Sequence, residues 1–249
     1  MEYISNIFGL ILKFFYDISG EYYLAIIFFT IVSRAILLPL TFSQMKSMNA
    51  MKRIQPKVDM INKKYKGNPQ KQGELLQRLY KENGANPMAG CLPLLVQMPI
   101  IFAMFRVVRE PAKYVFKSEA VYNSIQKGFL WIDSLANFDV IPVTLAGKTI
   151  SLPGALPILS AIATYYSMRM TMAKSSQKEQ AQSDIQKSMN SSMLHVMPVM
   201  MLFFGLTVPS GLVLYWVVGT IVQIIQQYFI GRYEEREFEE KQSKERKYK

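Results

Sequence analysis

Cysteine and histidine are almost missing from this chain: Cys91 and His195 are the only ones. One cysteine excludes an intramolecular disulfide and any cysteine-based metal site, and one histidine leaves a His-ligated metal or a His-centred triad without partners. No metal or cofactor is expected, and no enzymatic activity. Negative charge is also absent where it matters most, because every Asp and Glu lies outside the long apolar runs. Residues 1–20 lack the marks of a cleavable signal: an acid stands at position 2, Lys13 interrupts the apolar run, and no small-residue cleavage site follows. No cysteine is available there for a lipid anchor.

What is present is apolar length. Half of the 249 residues are hydrophobic, gathered in runs instead of short alternations, the pattern of a multi-pass helical membrane protein. The expected fold is all-α and polytopic, with five transmembrane helices at 22–43, 90–108, 152–169, 193–208 and 211–230. Residues 1–21 read as an amphipathic helix lying in the membrane interface, with Ile4, Phe8, Ile11, Leu12, Phe15 and Ile18 on one side. An uncleaved short span is the competing reading. Trp131, beside Asp133 in the loop 109–151, reads as an interfacial anchor. Cys91 opens the second span as a packed residue, and His195 reads as a polar residue near an interface.

The charge of +11 is unevenly spread. Residues 44–89 carry ten Lys/Arg against three acids, whereas the first 21 residues carry one Lys against three. The positive-inside rule puts 44–89 in the cytoplasm, the N-terminus outside and the C-terminus inside. The basic excess is then explained by orientation and anionic headgroups, with no specific nucleic-acid sequence as a target. Met48, Met51, Ile54, Val58, Ile61 and Tyr65 recur at helical spacing, Gly67-Asn68-Pro69 breaks the run, and a second helix over 70–83 carries Leu75, Leu76, Leu79 and Tyr80. The expectation is a helical hairpin, with Pro56 bending its first arm or marking a local irregularity in it and Gly84 as a left-handed cap. Its apolar faces either pack on each other or leave a flexible Met surface for apolar partners. The loop 170–192, with Met170, Met172 and Met189, reads as a shorter helical excursion. The tail 231–249 balances seven basic against six acidic residues, as a solvated helix does.

Arg34 stands inside the first span. A cation at that depth costs about 2.5–3.5 kcal/mol even on a lenient insertion scale, and no intramembrane carboxylate offsets it. Thr30 and Thr41 share its face. Gln97 in the second span and the stripe Trp216, Thr220, Gln223 and Gln227 in the fifth are the amides and polar edges available to it. Together they predict a hydrated, cationic cavity. Thr41, Thr164 and Ser167 read as interhelical glue. The run 193–208 is only about 24 Å as a helix, shorter than the hydrocarbon core, so the bilayer thins there or the flanks snorkel. Pro198 and the prolines at 39, 93, 99, 153 and 157 mark bends or span ends, which suits a cavity open to one side better than a sealed pore.

Three blocks now resemble the YidC family of membrane-protein insertases: IVSRAILLPLTFSQMKSMNAMKRIQPKVDMINKKYK in the first span and hairpin, NPMAGCLPLLVQMPIIFAMF at 86–105, and PSGLVLYWVVGTIVQIIQQYFI at 209–230. Without a large extra-cytoplasmic domain, an additional first span or a lipobox cysteine, the chain looks like a compact Gram-positive-type member. The resemblance implies a protein of the bacterial cytoplasmic membrane that inserts and helps fold new membrane proteins, alone or with the Sec translocon. It implies a groove open to the cytoplasm and the bilayer, in which Arg34 matches the family's arginine and Gln97 and Trp216 match groove-lining positions. The implied partners are nascent membrane proteins, the Sec translocon, the ribosome, signal-recognition components and the lipid bilayer. Three rivals differ in kind. A solute transporter calls for inverted repeats and intramembrane acids, an intramembrane hydrolase calls for a nucleophile with its base, and a scaffold predicts no dependence on Arg34.

Overall fold

The structure, a computed structural model, describes residues 2–86, 92–145, 148–173 and 184–247. Cys91, the expected start of the second span at 90 and the middle of the loop 170–192 lie outside the described residues, as do the side chains of Met172 and Met189. Helix dominates, as the apolar periodicity predicts. The chain runs α1 (Glu2–Ser19), α2 (Tyr22–Ile36), α3 (Leu38–Lys64), α4 (Pro69–Glu82), α5 (Leu92–Arg109), α6 (Pro111–Tyr114) and α7 (Glu119–Ser124). It continues through β1 (Val140–Leu145), β2 (Lys148–Pro153), α8 (Ala155–Ala173), α9 (Asp184–Gly205) and α10 (Ser210–Lys247).

The expected first span is not one straight helix. It breaks at Leu37, and α2 and α3 meet at a 58° bend. Pro39, in the first turn of α3, explains the break: its ring carries no N–H and collides with the carbonyl four residues back. By contrast α3 runs past Pro56 to Lys64 without a break. The hairpin then forms as the local signals predict. Asn68 caps α4 by accepting from the Lys71 N–H at 3.1 Å, and Gly84 takes φ +59° beyond its end. Ile54 and Val58 of α3 are buried against Leu76, Leu79 and Tyr80 of α4, so these faces pack on each other. Met60 remains exposed.

The all-α expectation needs one addition. Within and just beyond the expected loop 109–151, β1 and β2 pair antiparallel from Val140↔Pro153 to Leu145↔Lys148. Val140, Ile141, Val143, Thr144, Thr149 and Ile150 are β-branched residues that fit a pleated surface. The hairpin takes up Leu152 and Pro153, so the helix expected from 152 begins at Ala155. Asp139, buried at the head of β1, accepts from the Leu156 N–H at 2.7 Å and from Trp131 Nε1 at 3.3 Å. One carboxylate thereby fills an orphan donor of the first turn of α8. Trp131 is tied to Asp139, not to its neighbour Asp133.

The main core joins α1, α2, α5, α6 and α10, with Leu12, Ile26, Phe29, Met104, Val107 and Leu212 buried together. The N-terminal helix is thus integral to the bundle: Gly9 lets it approach the Tyr114 backbone so closely that a Cβ would stand 2.1 Å from the carbonyl oxygen. Its other face, Tyr3, Ile7, Leu10, Phe14 and Ile18, is exposed and apolar. Exposed rows also cover α8 (Ile158, Ile162, Tyr166), α9 (Val196, Val199, Phe203) and α10 (Ile221, Ile225, Phe229), more apolar surface than water tolerates on a monomer. Among the described helices, Ser210–Glu237 of α10 is long and apolar enough by itself to cross a bilayer. The pair α2 and α3 qualifies when taken together, and Leu194–Gly205 of α9 is apolar but short.

Candidate functional site

Arg34 lies in the last turn of α2, half-buried, with Nε shielded from solvent and without a hydrogen-bond partner. The ion pairs Lys13–Asp17, Arg78–Glu82, Lys113–Glu2 and Lys113–Glu110 form elsewhere, and Arg34 takes part in none of them. The guanidinium packs on α10 at Gly219, where a Cβ would stand 2.9 Å from Nη2 and 3.2 Å from Nε. Glycine is the residue that admits such an approach. One turn before it on α10, Tyr215 is buried and its hydroxyl accepts from Gln97 Nε2 at 2.8 Å. This bond joins α5, α10 and the surroundings of Arg34.

The remaining expected site residues divide. Thr30 is fully buried one turn before Arg34, but its hydroxyl donates to Ile26 O at 2.7 Å. Thr220 likewise donates to Trp216 O at 2.8 Å. The Trp216 ring lies 6.4 Å from that of Phe204 in α9. Gln223 is half-buried, and Gln227 has a buried, unpartnered Oε1 and lines a cavity of about 360 Å³ on the hairpin side with Met45, Met48, Asn49, Met170 and Thr171. The contacts of Arg34 therefore run to the row Tyr215, Gly219 and Gln226. That row is offset by about 100° around α10 from the stripe Trp216, Thr220, Gln223 and Gln227. Of the expected glue residues, Thr41 bonds to Leu37 O at 3.0 Å, whereas the Thr164 hydroxyl is buried without a partner.

Gln226 was not singled out by sequence. Its Nε2 donates to the Arg34 carbonyl at 3.3 Å. The reason is local: the last carbonyls of α2 lose intrahelical donors at the Pro39 bend, and an amide from α10 takes one of them. Proline five residues after a charged span residue was the available signal. Gly219 had one too, as a glycine inside an apolar helix.

These features define a class: a bundle of helices with apolar outer faces, whose half-buried cation rests on a neighbouring helix without an ion-pair partner among the described residues. Comparison with known proteins makes the class specific. The family model of the 60Kd inner membrane protein matches residues 14–237. Membrane protein insertase YidC of Clostridium perfringens is 38% identical over 86% of this chain and 80% of its own length. YidC of Wolinella succinogenes is 37% identical over 90% of this chain, which spans only 36% of that relative. YidC 2 of Listeria innocua is 34% identical over 92% of the chain and 71% of the relative. The chain belongs to this family of inner-membrane proteins, the family of YidC.

Proposed function

We propose that this chain is a membrane-protein insertase that works by lending a hydrated positive charge to a passenger in transit. The observation that carries the reading is Arg34, half-buried against Gly219 with an unpartnered Nε and no ion pair. A resident carboxylate would neutralise the site. An open valence leaves it for an acidic residue of the passenger's tail, so the missing counter-charge is one the substrate brings.

In this reading the spans are 22–43, bent at Leu37, 90–108, 155–169, 193–208 and 211–230, with the N-terminus outside and the hairpin 44–89 in the cytoplasm. Arg34, Thr30, Gln97, Trp216, Thr220, Gln223 and Gln227 form the substrate groove, with Tyr215, Gly219 and Gln226 beside Arg34. The tail enters from the hairpin side while its apolar segment slides along α2 and α10 in lipid. The relatives' name, membrane protein insertase, supports nascent membrane proteins as passengers; the Sec translocon, ribosome and signal-recognition components are partners that the family resemblance alone suggests. Charge, rather than guanidinium shape, is the working property.

The test is insertion of a small acidic-tailed membrane protein into liposomes holding the purified chain, read by protease protection. Arg34→Ala should lower insertion about tenfold, the equivalent of a lost charge-assisted hydrogen bond, and Arg34→Lys should retain most of it. Unimpaired insertion by Arg34→Ala would end the charge role.

A further inference from the structure

The β-hairpin leads directly into the start of α8. The other end of that helix is the one held by α3, where Lys52 Nζ donates to Thr171 O. The register of the hairpin sorts its side chains by polarity, because opposed residues share a face and faces alternate along a strand. Ile141 with Leu152, and Val143 with Ile150, form one face. Pro142 with Ser151, and Thr144 with Thr149, form the other, where the two threonine hydroxyls bond at 3.4 Å. Ile141, Ile150 and Leu152 are each about half exposed. Lys148, beside the turn, is the one charged residue of the two strands. A hairpin of two strands is marginal in water unless its apolar face packs on something.

The surroundings select the occupant. The root of the hairpin is tied to α8: Gly154 N donates to Asp139 O at 2.9 Å, and Leu156 N to the Asp139 carboxylate at 2.7 Å. Just beyond, α8 exposes Ile158, Leu159 and Ile162, a row that lipid covers in an inner-membrane protein. The apolar face of the hairpin therefore continues a surface already given to lipid. Trp131, held at the same root through Asp139, is exposed, as is Phe138, and such aromatics settle at headgroup level. Free strand edges cannot lie in hydrocarbon, where their N–H and C=O groups would go unpaired. Strands of six residues, about 20 Å long, meet both demands by lying flat at headgroup level, edges wet and one face among acyl chains. A partner strand would be recruited by an edge instead, and Pro142 removes a donor from β1.

We infer that the β-hairpin Val140–Pro153 is a lipid-binding element, lying flat in the leaflet away from the helical hairpin, with Ile141, Val143, Ile150 and Leu152 among acyl chains. It fixes the depth of the start of α8 and, because β2 also borders α9, of the short α9. The inference goes beyond insertion and holds whether or not the chain carries passengers.

The full chain, with Cys91→Ser, is labelled with a nitroxide at Ile150→Cys or at Thr149→Cys. It is reconstituted in phosphatidylcholine nanodiscs holding one copy each. Collision rates are read with oxygen, which concentrates among acyl chains, and with a nickel chelate, which stays in water. The oxygen-to-nickel ratio should be several-fold higher at 150 than at 149. Equal ratios overturn the inference, as does shielding of 150 from both reagents, which assigns the face to protein. A contrast seen only in nanodiscs loaded with two copies assigns it to a second chain and overturns it too. Phosphatidylglycerol should not be needed, because the four apolar residues carry no charge; a contrast that requires it makes the contact electrostatic and overturns acyl burial. Ile141→Asp puts a charge on the apolar face and should bring 150 within reach of nickel. Thr144→Asp puts the same charge on the polar face and should leave the ratio unchanged. Equal loss in both variants would show that the charge disrupts the hairpin itself, and it overturns the assignment of a lipid face.

Discussion

Gly219 is the residue on which the placement of Arg34 turns. A methyl group there would stand 2.9 Å from Nη2, and the far end of an arginine moves more easily than backbone. Gly219→Ala should therefore fold normally, with helix propensity gaining up to about 1 kcal/mol, while the guanidinium is pushed off its seat. Insertion of an acidic-tailed passenger should fall about fivefold, roughly 1 kcal/mol, and a neutral-tailed passenger should be unaffected. Parallel insertion assays and thermal unfolding check this; an equal loss for both passengers would point to a general packing defect. Arg34 itself was legible from hydropathy alone, because a charge without a carboxylate stands out in an apolar run. Which row of α10 faces it was not. The spacings 215/219/222/226 and 216/220/223/227 are the same pattern one residue apart, and the choice between them depends on the close approach at Gly219, a tertiary fact.

Among the elements, the turn and second arm of the helical hairpin were readable to within a residue or two because their signals are local: Gly67-Asn68-Pro69 for the turn, Asn83-Gly84 for the cap, and apolar spacing for the facing surfaces, whereas the first arm begins at Leu38 and not near 44. The bend at Leu37 was half visible, since proline at 39 announces a break without giving its angle. The β-hairpin was missed because its β-branched residues sit in a loop that polarity alone describes. Its function in the fold is visible at Asp139, which ties β1 to the first turn of α8 through the Leu156 N–H and holds Trp131. Gly154 is forced to be small there, since a Cβ would fall 2.0 Å from Asp139 Oδ1. Asp139→Ala should destabilise the detergent-solubilised protein by about 1–2 kcal/mol, the cost of a lost helix cap, with Trp131 fluorescence shifting to a more solvated position. An unchanged unfolding midpoint would remove the cap assignment.

At the scale of the molecule, length is the property that connects fold to work. The apolar part of α9, Leu194–Gly205, is 12 residues long, about 18 Å as a helix, against a hydrocarbon core of about 30 Å. The sequence expectation of about 24 Å for 193–208 was already short. The helix ends earlier, at Gly205, which packs on Pro157 where a Cβ would stand 2.8 Å from the proline ring, and α10 does not begin until Ser210. In the five-span reading this helix lies against α8 and presents Val196, Val199 and Phe203 outward. Lipid meeting that row has to thin, at a cost of fractions of a kcal/mol per Å of mismatch. A thinner bilayer reduces the same barrier that a polar tail must cross. Insertion should therefore be faster in liposomes of short-chain lipids than of long-chain lipids, by more than the lipid effect on spontaneous insertion of the same passenger. Replacing Thr207 with Leu, which extends the apolar stretch at an exposed position, should reduce that difference. Insertion rates that track the protein-free rates across chain lengths would show that the short helix does not contribute.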